Sequence, residues 1–100
     1  MFNIGQRIVC VNDNFNNVPV AYYKYYSNFP LKDEIYTVSN ITQGFGNNPK
    51  EAEEVVVHLK EIANPPNKLG VENGYNVERF RPLVASEELA KKEEENLNTV

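Results

Sequence analysis

The chain has 100 residues, 41% hydrophobic and 24% charged, with a formal net charge of −4. This is one domain of ordinary globular composition, which excludes global disorder and collagen-like fibres. No apolar run approaches the ~18–20 residues that cross a bilayer, the N-terminus lacks a signal-peptide layout, and one cysteine excludes an internal disulfide framework, so a cytoplasmic protein with no membrane partner is expected.

The charge is unevenly spread. Residues 1–84 carry eight Lys/Arg against nine Asp/Glu, whereas residues 85–100 carry two against five. A nearly neutral domain at 1–84 and an acidic, helical or frayed tail at 85–100 are therefore expected. Proteins that coat duplex nucleic acid through its phosphates present a basic face, and the sequence has no Lys/Arg cluster.

Arg7-Ile8-Val9-Cys10-Val11 is apolar and β-branched, follows Gly5 and ends at the turn-prone Asn12-Asp13-Asn14, which predicts the first strand. A very long first loop covers 12–33. It holds Tyr22, Tyr23, Tyr25, Tyr26 and Phe29 around Lys24. Glu34 to Ile41 predicts the second strand, with Tyr36 and Val38 on one face. In the connection 42–53, Asn48-Pro49 with Glu51 reads as one capped helical turn.

Glu54 to Ile62 predicts the third strand, with Val55, Val57 and Leu59 facing one way and Val56, His58 and Lys60 the other. His58 is expected to face solvent. Leu59 and Ile62 are three apart and can share the core only across a bulge or a strand end. The prolines of Asn64-Pro65-Pro66-Asn67 stop the strand. Asn73-Gly74 predicts a type I′ hairpin, whose central residues need positive φ. Arg79 to Leu83 closes the domain as a strand or 3₁₀ segment anchored by Phe80 and Leu83. In the tail, Ser86 suits an N-cap, and Glu87–Lys91 and Glu88–Lys92 are favourable i,i+4 pairs. Asn occurs fifteen times, which reads as compositional bias.

Five short strands, one long loop and a closing strand describe an all-β fold, a small bent barrel with a short helical tail. The order Gly5-x-x-Ile8-x-Cys10-Val11-x-Asp13, then Leu31-Lys32-Asp33-Glu34-Ile35-Tyr36-Thr37-Val38, then Val57-x-Leu59-x-Glu61, then Tyr75 with Arg79-Phe80-Arg81-Pro82-Leu83 resembles small SH3-like barrel proteins of bacteria and their phages. The likeness spans residues 4–84. It implies an SH3-like barrel encoded by a phage or mobile element, and it brings no catalytic residues. Asp33-Glu34 stands where many such barrels carry a Lys-Gly turn.

Chemistry is sparse. A structural zinc site needs about four Cys/His ligands, and the chain offers Cys10 and His58. Cys10 reads as a small core residue. None of Ser27, Ser39 and Ser86 lies in a nucleophile-elbow motif that would pair it with His58. Gly44-Phe45-Gly46 lacks the third glycine of a phosphate loop, and Glu61 and Glu78 are isolated carboxylates. No cofactor, metal or catalytic residue is expected, and the protein is not expected to be an enzyme.

The unusual feature is the ring cluster. Tyrosine supplies rigid contact area plus a hydroxyl, so Tyr22, Tyr23, Tyr25, Tyr26 and Phe29 are the candidate contacts for a protein or peptide partner, with two or three of them expected to be structural. The alternatives are self-association and nucleic-acid binding. In the latter, Lys24, Arg79 and Arg81 would contact phosphates while tyrosines stack on bases.

Overall fold

The structure, a computed structural model, describes residues 2–43 and 54–90. Five strands form one antiparallel sheet: β1 (Arg7–Cys10), β2 (Ile35–Gln43), β3 (Val55–Leu59), β4 (Tyr75–Asn76) and β5 (Phe80–Pro82). Their spatial order is β4-β3-β2-β1-β5. The fold is all-β, as expected, with a short C-terminal helix at 85–90. The sheet is open, with β4 and β5 at its edges, rather than closed into a barrel.

β2 joins the two halves of the sheet. Its first residues pair with β1, as Ile35 with Val9 and Thr37 with Arg7, and its last pair with β3, as Ile41 with Val57 and Gln43 with Val55. The register shifts between Val38 and Asn40. Such an irregularity bends a strand and raises its twist. Val38 sits at the handover, its N–H donating to Gln6 and its carbonyl accepting from Gly5.

The alternation in β2 is as expected: Tyr36 and Val38 are buried. Leu59 and Ile62 both reach the core because the strand ends between them, with the Ile62 N–H turning back to the Leu59 carbonyl at 3.2 Å. Ile8 and Cys10 of β1, Val57 and Leu59 of β3, Tyr75 of β4 and Phe80 of β5 join Tyr36 and Val38 in one hydrophobic cluster. Phe15, Val18 and Tyr26 of the first loop complete it. Burial raises the pKa of the Cys10 thiol, in keeping with its place in the core.

Several expectations are corrected. Val56 and His58 lie on the face of β3 expected to meet solvent, yet both are buried. The cause is the 64–74 segment, whose Glu72 bonds His58 and whose Gly74 backbone lies against Val56. Asn73-Gly74 is not a type I′ turn, since neither residue has positive φ. The chain reverses earlier, between Pro66 and Glu72, with Gly70 at φ +76°. Gly74 is instead required by proximity, because a Cβ there would lie 2.7 Å from the Val57 carbonyl oxygen.

The first loop contains a 3₁₀ helix at Val20–Tyr25, and a second 3₁₀ turn at Val77–Arg79 leads into β5. The C-terminal helix begins at 85, ahead of the expected Ser86 cap. Glu87 closes its first turn by accepting from the Val84 N–H at 3.2 Å, half of a capping box. The expected helical turn at Asn48-Pro49 and the partners Lys91 and Lys92 lie outside the described residues.

Candidate functional site

Pro19 starts the aromatic segment, its φ of −59° being the value its ring imposes. The Tyr22 N–H bonds the Pro19 carbonyl at 2.9 Å and the Tyr26 N–H bonds that of Tyr23 at 3.1 Å. With three residues per turn, side chains three apart share a side. Tyr22 therefore meets Tyr25, their ring centroids 6.1 Å apart, while Tyr23 and Tyr26 both reach Phe29. Neighbouring rings thus follow a period of three rather than the strict alternation of an extended segment.

The rings grade from core to surface. Tyr26 is buried and stacks on Phe29 at 5.0 Å and against Tyr75 at 5.5 Å. Phe29 is half-buried, with Phe15 at 4.5 Å on one side and the edge-on ring of Tyr23 at 5.9 Å on the other. Tyr25 is half-buried beneath the Lys24 ammonium, 5.3 Å from its ring centroid. Tyr22 and Tyr23 remain 37% and 41% exposed, next to Val20 at 78%. Two outer rings thus stand on a fixed aromatic base.

A polar network holds that base. Tyr75, fully buried, donates its hydroxyl to the Asn28 carbonyl at 2.6 Å and accepts from Asn64 Nδ2 at 3.0 Å. Asn64 also accepts the Ser27 N–H at 2.9 Å and bonds the Asn73 carbonyl. Asn73 in turn accepts from Asn67 at 2.8 Å. These asparagines are therefore working parts of the fold. Their partners lie up to 47 residues away, so composition alone could not show it.

His58 belongs to an adjoining chain of bonds. Its Nδ1 lies 2.9 Å from Glu72 Oε1 and its Nε2 lies 2.8 Å from Thr42 Oγ1. A carboxylate only accepts, so Nδ1 carries the proton, and in the neutral ring Nε2 accepts from the threonine hydroxyl. The order hydroxyl, imidazole, carboxylate is that of a nucleophile with its base, formed by a threonine rather than by the serines considered from sequence. Thr42, however, lies within a ladder strand paired with Val56, not on the exposed elbow that presents a nucleophile. The chain of bonds ties β2 and β3 to the 64–74 segment.

The three cations considered for nucleic acid are dispersed in role. Lys24 covers Tyr25. Arg79 is buried, its guanidinium 4.0 Å above the Phe15 ring and its Nη1 donating to the Asn14 carbonyl at 2.8 Å. Burial lowers its pKa. Arg81 grips Glu87 with both terminal nitrogens, at 2.8 and 2.9 Å, and this pairing holds Glu87 down to about 2. Among the described residues there is no group of three or more His, Cys, Asp or Glu placed to hold a metal, and no helix long and apolar enough to cross a membrane. Compared with protein families, curated proteins and solved structures, the chain matches none.

Proposed function

We propose that this chain is a non-catalytic binding module of phage or mobile-element type, its open sheet bent into an incomplete SH3-like barrel, that engages a protein or peptide partner through its tyrosine face. Tyr22 and Tyr23 make the contact, Tyr25 and Lys24 border it, and Tyr26 and Phe29 form its floor. The observation that carries this reading is the pair of half-exposed tyrosines held on a buried aromatic stack. Interfaces favour such rings because they offer large contact area at little conformational cost. The barrel reading is supported by the link between the two edge strands: β4 ends at Asn76 and β5 begins at Phe80, and the three residues of the 3₁₀ turn between them are too few to cross the width of a flat five-strand sheet.

The test is capture from the native host with the whole chain as bait, beside a Tyr22→Ala, Tyr23→Ala bait. A protein retained by the first and lost from the second, with little loss on raising salt, supports the reading. Recovery of nucleic acid with a steep salt dependence would replace it with the nucleic-acid alternative.

A further inference from the structure

We infer that Arg79 is a receptor for one carboxylate, and that the partner is a peptide segment carrying an acidic side chain beside the part that contacts the tyrosines. This rests on the tyrosine face being the docking surface. Arg79 is 8% exposed. Its hydrogen bonds all leave from Nη1, to the Asn14 carbonyl at 2.8 Å, the Asn12 carbonyl at 3.3 Å and Asn12 Oδ1 at 3.5 Å. Nε and Nη2 have no partner among the described residues. No described carboxylate lies within ion-pair distance of Arg79, and Glu54 acts on it only from farther away.

A buried guanidinium served only by neutral acceptors and a ring face is poorly compensated. The unused edge, Nε with Nη2, is the side of the fork that takes a carboxylate bidentately. Asn12 and Asn14, which hold Nη1, are exposed, so that end of the guanidinium lies just beneath the surface. It is also close to the proposed interface: Phe15, under the guanidinium, packs on Phe29, which packs on Tyr23. At ~3.3 Å per residue, an extended peptide crosses that interval in a few residues. The sign and number of charges favour one acid over a phosphate backbone. Arg81 is already paired with Glu87, and the sequence of residues 1–84 has no Lys/Arg cluster to follow a polyanion.

The experiment is side-chain ¹⁵N NMR of the whole chain, following the Arg79 Nε–H, which is assigned with Arg79→Lys. The probe is a short alanine peptide with one central glutamate, and the control is its glutamine counterpart. The Arg79 signal should move and approach saturation with millimolar glutamate peptide and stay in place with the glutamine one. Arg79→Lys, which keeps the charge but loses the fork, should bind the glutamate peptide about tenfold more weakly. If that variant does not fold, the wild-type titration decides alone. The short probe has no aromatic or extended segment for the tyrosines, so a Tyr22→Ala, Tyr23→Ala protein should show the same Arg79 shift. Failure of the tyrosine reading is thereby distinguishable from failure of this one. No movement up to ~20 mM glutamate peptide, far weaker than useful recognition, overturns the inference. Equal movement with the glutamine peptide overturns it too. So does a larger, salt-sensitive response to a short single-stranded oligonucleotide, which would assign the edge to phosphate.

Discussion

The hydroxyl of Tyr75 donates to the carbonyl oxygen of Asn28 at 2.6 Å, fastening edge strand β4 to the end of the first loop. The Tyr75 hydroxyl oxygen in turn accepts from Asn64 Nδ2 at 3.0 Å, so one atom links the loop, the 64–74 segment and the sheet. Tyr75→Phe keeps the ring and removes that junction, leaving a carbonyl and an amide short of a partner. A loss of about 1–3 kcal/mol is expected by urea denaturation. A change within error of zero would mean that water replaces the hydroxyl without cost.

Gly74 and Gly70 should fail for different reasons. At Gly74 an added Cβ meets the Val57 carbonyl oxygen at 2.7 Å, so Gly74→Ala should cost about 1–3 kcal/mol through displacement of β3. At Gly70 the space is open and φ is +76°, so Gly70→Ala should cost about 1–2 kcal/mol in backbone strain. Amide exchange separates them: protection should fall in β3 for the first and only around the turn for the second.

Asp33 adopts φ +70°, the conformation for which glycine is the usual choice. Its N–H still bonds the Cys10 carbonyl at 2.8 Å. Asp33→Gly should therefore stay within about 0.5 kcal/mol of the parent, while Asp33→Val should cost about 1–2 kcal/mol. Thermal unfolding of the two variants checks this, and equal losses would place the cause in the aspartate side chain instead.

Two groups give the stability a pH dependence of known sign. Pairing with Arg81 lowers the pKa of Glu87 to about 2, so its contribution is complete above the ordinary carboxylate range of about 4–4.5 and is lost as pH falls toward 2. The 85–90 helix should detach from β5 in that window, read from the Glu87 side-chain NMR titration. Burial raises the pKa of the Tyr75 phenol, so its contribution is present below about 10 and is lost as pH rises beyond that. Tyrosinate absorbance should show one late-titrating ring, whose ionisation coincides with alkaline unfolding.

Much of the sheet was legible because β-branched runs bounded by Asn, Gly and Pro leave few other readings. β1, β2, β3 and β5 lie where Ile8, Tyr36, Val57 and Phe80 predict them. What stayed hidden depends on distant chain. His58 and Val56 read as a solvent face because nothing local reveals that Glu72 and Gly74 return to cover them. Asn73-Gly74 carries the strongest short-range hairpin signal, yet packing against Val57 decides its conformation. In the ring cluster, the signal for a 3₁₀ helix was available in Pro19 and the spacing of Tyr22 with Tyr25, but a single pair of turns is too short for periodicity to show.

The most direct test measures folding and partner affinity together for Tyr22→Ala, Tyr23→Ala and Tyr26→Ala, with the captured partner as ligand. Tyr26 is core, and its truncation should cost about 3–5 kcal/mol or unfold the domain. The outer rings should each cost under about 1 kcal/mol of stability. At least one of them should weaken binding by about 2 kcal/mol or more. Stability losses at Tyr22 and Tyr23 as large as that at Tyr26, or unchanged affinity in both outer variants, would contradict the account.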